Sequence, residues 1–167
     1  MAREILLSRG EVALVDDSDA AALSAFKWSL SAYPNGAKYA VRNDYRDGHT
    51  NTVSMHRQIM GAKGGEEVDH INGNGLENRR KNLRVCTHAE NQRNRKPSRL
   101  RRFKGTHFFG RGLSKPWAAQ VTKGGRKRHL GYFATEDQAA RAYDTVAKEA
   151  FGVFARLNFP EEVPCGI

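Results

Sequence analysis

The stretch RNRKPSRLRR, residues 93–102, puts six basic side chains into ten positions with no acidic residue among them. Burying unpaired guanidinium or ammonium groups costs more than any packing there could return. The run therefore favours solvent, and the charge divides the chain here. Pro97 disfavours helix at the residue before it, so a helix arriving from the N-terminal side ends near Lys96. We read 97–102 as a basic linker with folded units on either side. Such a run neutralises phosphates whether it is ordered or a solvated tether.

Charge is uneven elsewhere too. Residues 1–55 carry 6 basic and 7 acidic side chains, 56–102 carry 12 and 5, and 103–167 carry 10 and 6. Over all 167 residues the balance is 28 to 18, a formal net charge of +10, which predicts a polyanionic partner, above all nucleic acid. No apolar run approaches the roughly 18–20 residues needed to span a bilayer, and the opening MAREILLSRG has no signal-peptide core. The expected location is the cytoplasm, that of the host cell if the gene is phage-encoded, with no membrane partner. Two cysteines, Cys86 and Cys165, are too few for a zinc finger or a disulfide framework, and no zinc site is expected.

The N-terminal segment, 1–55, reads as structural. ILLS (5–8) and EVALV (11–15) flank Arg9-Gly10 as a tight hairpin. Asp16 or Asp17 caps a short helix to about Phe26, burying Ala22, Leu23 and Phe26. KWSLSAY, AKYAVRN and TNTVSM are strands separated by Pro34-Asn35-Gly36 and Asp47-Gly48 turns. Trp28, Tyr33, Tyr39 and Tyr45 belong to a core or sheet face rather than to a base-stacking platform.

The next segment, 56–96, carries chemistry. EEVDHI (66–71) is a strand, NGNGLENRRKN an Asn/Gly-rich loop and NLRVC (82–86) a second strand. Thr87 and Glu90 form a capping box that opens a helix carrying Asn91. Strand, loop, strand and helix bring Asp69-His70 toward Asn91. Asp69 and Asn91 offer hard oxygen donors suited to Mg²⁺ or Mn²⁺. His70 points to the opposite strand face and, with an ordinary imidazole pKa of about 6.5, can take a proton from water at neutral pH. Asn82 holds the two strands in register across the loop. Arg79, Arg80, Lys81, Arg84, Arg93 and Arg95 surround this set and suit phosphate contacts.

Asp-His, twelve residues on to Asn82 and nine more to Asn91, resembles the HNH nuclease motif of the ββα-metal kind, in the branch typical of phage and intron homing endonucleases. The resemblance implies Asp69 and Asn91 as metal ligands, His70 as general base and Asn82 as the central structural Asn. The preceding VSMHRQIMG also resembles the region before this motif. His56 and Arg57 could approach a phosphate there, or His56 could be structural. His88 shares a helix face with Asn91 and could support the metal or touch DNA.

The segment 103–160 has its own plan, with a tail at 161–167. FKGTHFFGRG, PWAAQVTKG and RKRHLGYFA are three strands. Thr135 with Gln138 opens a helix to about Phe151, with Ala139, Ala142, Tyr143, Val146 and Ala150 on one face. The strings F-K-G-T, W-A-A-Q-V, H-L-G-Y-F, T-E-D-Q-A-A-R-A-Y-D and L-N-F-P resemble the Apetala/ethylene-response-factor DNA-binding domain. That implies a sheet reading the major groove, here with Lys104, His107, Gln120, Thr122, Lys127 and His129 at the matching positions. Arg126 and Arg128 are expected on the same basic face, and Arg111 or Lys115 of the GRGLSK insert to add a phosphate contact.

The resulting expectation is an α+β chain: a small antiparallel sheet leading into a ββα-metal nuclease motif, a basic linker, then a three-stranded antiparallel sheet packed on one helix. Its function would be site-directed DNA cleavage with Mg²⁺ or Mn²⁺, with double-stranded DNA as partner, nicking one strand as a monomer, a dimer being the other possibility. A DNA-binding regulator with a silent nuclease motif, and an RNA-binding protein, are the alternatives.

Overall fold

The computed structural model describes residues 1–46, 48–98 and 100–160. Asp47 of the second turn, Arg99 of the basic run and the tail with Cys165 lie outside the described residues. The chain is α+β and divides into two units, Met1–Asn91 and Gln92–Ile167.

In the first unit β1 (Ala2–Leu6) and β2 (Val12–Asp16) pair antiparallel, with Arg9 (φ 65) and Gly10 (φ 74) in the left-handed region at the turn. α1 (Asp17–Ser24) follows, its first turn acidic, which suits a helix N-terminus. Asp16 occupies the cap position without capping; its carboxylate instead accepts the Arg80 N–H at 2.8 Å. Leu23 is buried as expected, whereas Ala22 and Phe26 are exposed. The helix stops short of Phe26, whose ring lies under the Arg42 guanidinium, 4.2 Å from its centroid. β3 (Ser29–Ala32), β4 (Lys38–Arg46) and β5 (His49–Ser54) form a second antiparallel sheet and lead into α2 (Met55–Met60). Of the four aromatic residues, Trp28 is core and Tyr39 half-buried, but Tyr33 and Tyr45 are exposed.

β6 (Glu67–His70) and β7 (Leu83–Cys86) pair antiparallel, and α3 (His88–Asn94) follows. Val68 and Leu83 enter the same core as Ile5, Ala13, Val15, Trp28, Met55 and Ile59. The loop between β6 and β7 is tied to β2: Leu14 N–H donates to Leu76 O at 2.9 Å and Asn78 N–H to Leu14 O at 2.7 Å. Gly75 is obligatory there, because a Cβ would sit 2.2 Å from Lys38 O and against the Tyr39 ring. An Asn/Gly-rich stretch thus becomes a fixed wall of the unit.

In the second unit β8 (Thr106–Phe108), β9 (Trp117–Lys123) and β10 (Arg126–Phe133) form an antiparallel sheet in the order β10-β9-β8, covered by α4 (Glu136–Phe151). Thr135 Oγ1 accepts the Gln138 N–H at 3.2 Å, the expected cap. The helix buries Ala139, Ala140, Tyr143, Ala147 and Phe151, while Ala142, Val146 and Ala150 are half-buried, so the packed face is rotated from the expected one. Buried Asp144 accepts backbone N–H bonds from Asn158 and Phe159, which staples the returning chain to the helix. Gly105 (φ +81) lies so close to the Tyr143 ring that a Cβ would meet it at 2.0 Å.

Candidate functional site

Strand alternation divides β6 into two working faces. Glu67 and Asp69 share one, Val68 and His70 the other. Register sets Arg84 directly opposite Asp69, and Asp69 Oδ2 accepts from Arg84 Nε at 2.9 Å and Nη2 at 2.5 Å. Both side chains are largely buried, with 6% and 14% of their surface accessible, so the pair fixes the carboxylate's position in a poorly hydrated place.

The capping box aims α3 at this face. Thr87 N–H donates to Glu90 Oε2 at 2.8 Å, and Glu90 N–H donates back to Thr87 Oγ1 at 3.3 Å. One turn on, Asn91 Nδ2 donates to Glu67 Oε2 at 2.6 Å, and His88 Nδ1 meets Glu67 Oε1 at 2.7 Å. The Asn91 bond, then the His88 bond, hold the Glu67 carboxyl below the usual carboxylate range. Glu67 is the residue sequence reasoning missed on this face. Its signal was available: it lies two positions before Asp69 in a strand. An ionised carboxylate only accepts, so it takes the amide nitrogen of Asn91, whose oxygen is the atom a hard cation would take. Two carboxylates and an amide oxygen suit a hard divalent ion. Cys86, buried and with its thiol pushed up to about 11 chiefly by burial, does not suit a thiolate-loving metal. Among the described residues no three of His, Cys, Asp and Glu are grouped as a metal cage.

On the other face His70 Nε2 lies 3.2 Å from Asn78 Oδ1, an acceptor, so Nε2 carries the proton and Nδ1 the lone pair. The His56 ring stands edge-on to His70 with centroids 4.9 Å apart, and Tyr39 lies 5.7 and 5.8 Å from the two imidazoles. Burial pushes the His70 pKa below its ordinary value, against the upward pull of Asn78, Asp69 and Glu77. That corrects the expectation of an unperturbed imidazole. His56 is pushed down to about 3, chiefly by burial. Both rings are neutral at pH 7. Asn78 is fully buried and was not singled out from the sequence, because nothing in an Asn-rich loop marks which Asn turns inward.

Asn82 bridges the loop. Its Oδ1 accepts the Asn72 N–H at 3.1 Å, its Nδ2 donates to Glu77 O at 2.8 Å, and its carbonyl accepts the Ile71 N–H at 2.9 Å.

Several cations expected to face phosphate hold protein groups instead. Arg79 pairs with Glu77, Arg80 with Asp19 at 2.7 Å and Arg84 with Asp69. In the second unit Arg93 lies over the Phe151 ring at 4.8 Å, Arg95 Nη1 donates to Gln92 Oε1 at 2.9 Å, and Lys104 Nζ donates to the carbonyls of Arg93 and Arg95. Burial lowers Lys104 to about 8.

On the C-terminal sheet, register puts Lys127 opposite Thr122 and His129 opposite Gln120, on the face turned away from α4. His107 joins them, with Gln120 Nε2 3.0 Å from His107 Nε2. Arg126 and Arg128 register opposite Lys123 and Val121, on the other face, which corrects their expected placement. The reason is the two-residue Gly124-Gly125 turn (φ 57 and 75), which sets the parity of β10. Arg111 and Lys115 are exposed in the β8–β9 connection.

Residues 56–93 match the family model for HNH endonucleases. The chain is similar to an uncharacterised HNH endonuclease of Acanthamoeba polyphaga mimivirus, 37% identical over 91 residues, covering 54% of this chain and 46% of that protein. Its C-terminal region is similar to plant DNA-binding proteins of Arabidopsis thaliana. Dehydration-responsive element-binding protein 2E is 54% identical over 37 residues, 22% of this chain and 15% of that protein. An ethylene-responsive transcription factor is 42% identical over 50 residues, 29% and 27%. The chain thus spans under half the length of these relatives. No solved structure matches.

Proposed function

We propose that the chain is a site-directed DNA endonuclease of the homing type, with a nuclease motif at 56–96, a basic linker at 97–102 and a base-reading module at 103–160. The observation that carries this reading is the two-faced strand β6, with Asp69 and Glu67 on one side, Glu67 bonded to Asn91, and a neutral, oriented His70 on the other. His70 Nδ1 takes a proton from the water that attacks the scissile phosphorus. The new P–O bond forms as the bond to the 3′ oxygen breaks, and that oxygen takes a proton from solvent. Asn78 fixes the imidazole tautomer, and Arg84 holds the Asp69 carboxylate in place. Asn82 holds the loop that joins these groups. A bound Mg²⁺ or Mn²⁺, held by Asp69 and Asn91, would offset charge on the phosphate and the departing oxygen.

One active site per chain supports nicking of one strand by a monomer. Incubation with supercoiled plasmid and Mg²⁺ should give open circles before linear DNA, and excess EDTA should stop the reaction. Undiminished cutting in EDTA would remove the metal from the scheme. A plasmid left intact at every Mg²⁺ and Mn²⁺ concentration would favour a regulator with a silent motif.

A further inference from the structure

The face of the C-terminal sheet turned away from α4 has a composition that selects among base pairs. Register places His107, Gln120, Thr122, Lys127, His129 and Tyr132 there. Phe109, two residues beyond His107, lies edge-on to Tyr132 with ring centroids 5.5 Å apart. Both rings are more than half exposed, at 62% and 51%. Among the described residues, no arginine of β9 or β10 registers on this face, because the Gly124-Gly125 turn sends Arg126 and Arg128 to the other one.

Gln120 is oriented. Arg101 Nη1, which can only donate, lies 3.2 Å from His107 Nε2, so that nitrogen is an acceptor. Gln120 Nε2 therefore gives His107 one of its two amide hydrogens. The second hydrogen and Oε1 remain as a donor–acceptor pair. Adenine offers the complement in the major groove, N7 accepting and N6–H₂ donating, whereas guanine offers two acceptors, O6 and N7. Guanine O6 would face Gln120 Oε1, two lone pairs together. Exposed aromatic rings meet the thymine methyl group, which cytosine lacks.

We infer that this face selects A·T-rich duplex DNA through its major groove, Gln120 reading adenine and Phe109 with Tyr132 covering thymine methyls. The inference rests on the DNA reading above and adds the base class.

The test uses the full chain in EDTA, at one fixed salt concentration, with synthetic duplexes competing for binding. Poly(dA-dT) should compete about tenfold or more better than poly(dG-dC), since each good bidentate contact discriminates by about 5- to 150-fold. Poly(dI-dC), which resembles A·T in the minor groove but G·C in the major groove, should compete as weakly as poly(dG-dC). Replacing thymine by uracil should weaken binding severalfold, and a Phe109→Ser/Tyr132→Ser variant should no longer tell the two apart. Replacing adenine by 7-deazaadenine should weaken the native chain but not Gln120→Leu. Poly(dI-dC) competing as well as poly(dA-dT) would overturn the inference, since selection would then lie in the minor groove. So would equal binding of all duplexes, which leaves the DNA reading standing. Failure to bind any duplex would remove both.

Discussion

The two units share a scheme, a hairpin followed by a capped helix, and use it in opposite ways. Around β6 and β7 the charged side chains are turned on one another: Asp69 with Arg84, Glu67 with His88 and Asn91, Arg79 with Glu77. On the C-terminal sheet the face away from α4 leaves Lys127, His129 and Thr122 exposed. On the proposed reading, the groups that would act on a reacting atom are held by neighbours that cancel their freedom. Those that would test base pairs are left in water until they dock.

The comparison breaks hardest at His70. His70→Ala should lower plasmid nicking by on the order of 10²–10⁴-fold with little change in DNA affinity, measured by filter binding in EDTA. Equal loss of both would make His70 a structural residue. Arg84→Ala should come next, costing roughly 3–5 kcal/mol because it removes the charged partner of the buried Asp69 side chain; urea unfolding measures it.

Gly75→Ala and Gly105→Ala sharpen the contrast. Each forces a Cβ into contact, with Lys38 O in one unit and the Tyr143 ring in the other, at a cost of roughly 1–3 kcal/mol or more. Gly75→Ala should reduce nicking at every site. Gly105→Ala should spare nicking and relax base preference. If Gly105→Ala abolishes nicking on all DNA, reading and cutting are not separable.

Acid should act on the first unit before the second. His56 has a folded pKa of about 3 against an unfolded value near 6.5, so the unfolded state binds the extra proton. Stability therefore falls as pH drops below about 6.5, by up to roughly 1.4 kcal/mol per pH unit for this group, and levels off near pH 3. His70, shifted in the same direction, adds to the slope. His56→Phe should flatten the pH dependence of the melting temperature; an unchanged slope would rule out His56 as its source. The smallest effects should come from the caps: Thr87→Ala and Thr135→Ala should each cost about 1 kcal/mol, read by denaturant titration of each unit.

Much of the molecule was legible in advance, in a particular way. The hairpins, the Thr87–Glu90 capping box, the Thr135 cap and the strand–loop–strand–helix order of 66–94 follow from neighbours in sequence, and the structure contains them. The helix-face error in α4, where Ala140 and Ala147 are buried and Ala142 only partly, arose because alanine tolerates either side of a packed interface. The placement of Arg126 and Arg128 failed by one residue of register, which is enough to reverse a face.

The sequence by itself determined which chemical groups are available and how far apart they lie along the chain, because capping, turn formation and strand alternation are local. It specified Asp69, His70, Asn82 and Asn91. Only the tertiary structure decided what each of them touches. Arg84 opposite Asp69, Glu67 against Asn91, Asn78 behind His70 and His56 beside it depend on register, on a loop pinned to β2 and on a core assembled from remote strands. Burial sets the imidazole pKa values, and burial belongs to the whole unit rather than to any one residue.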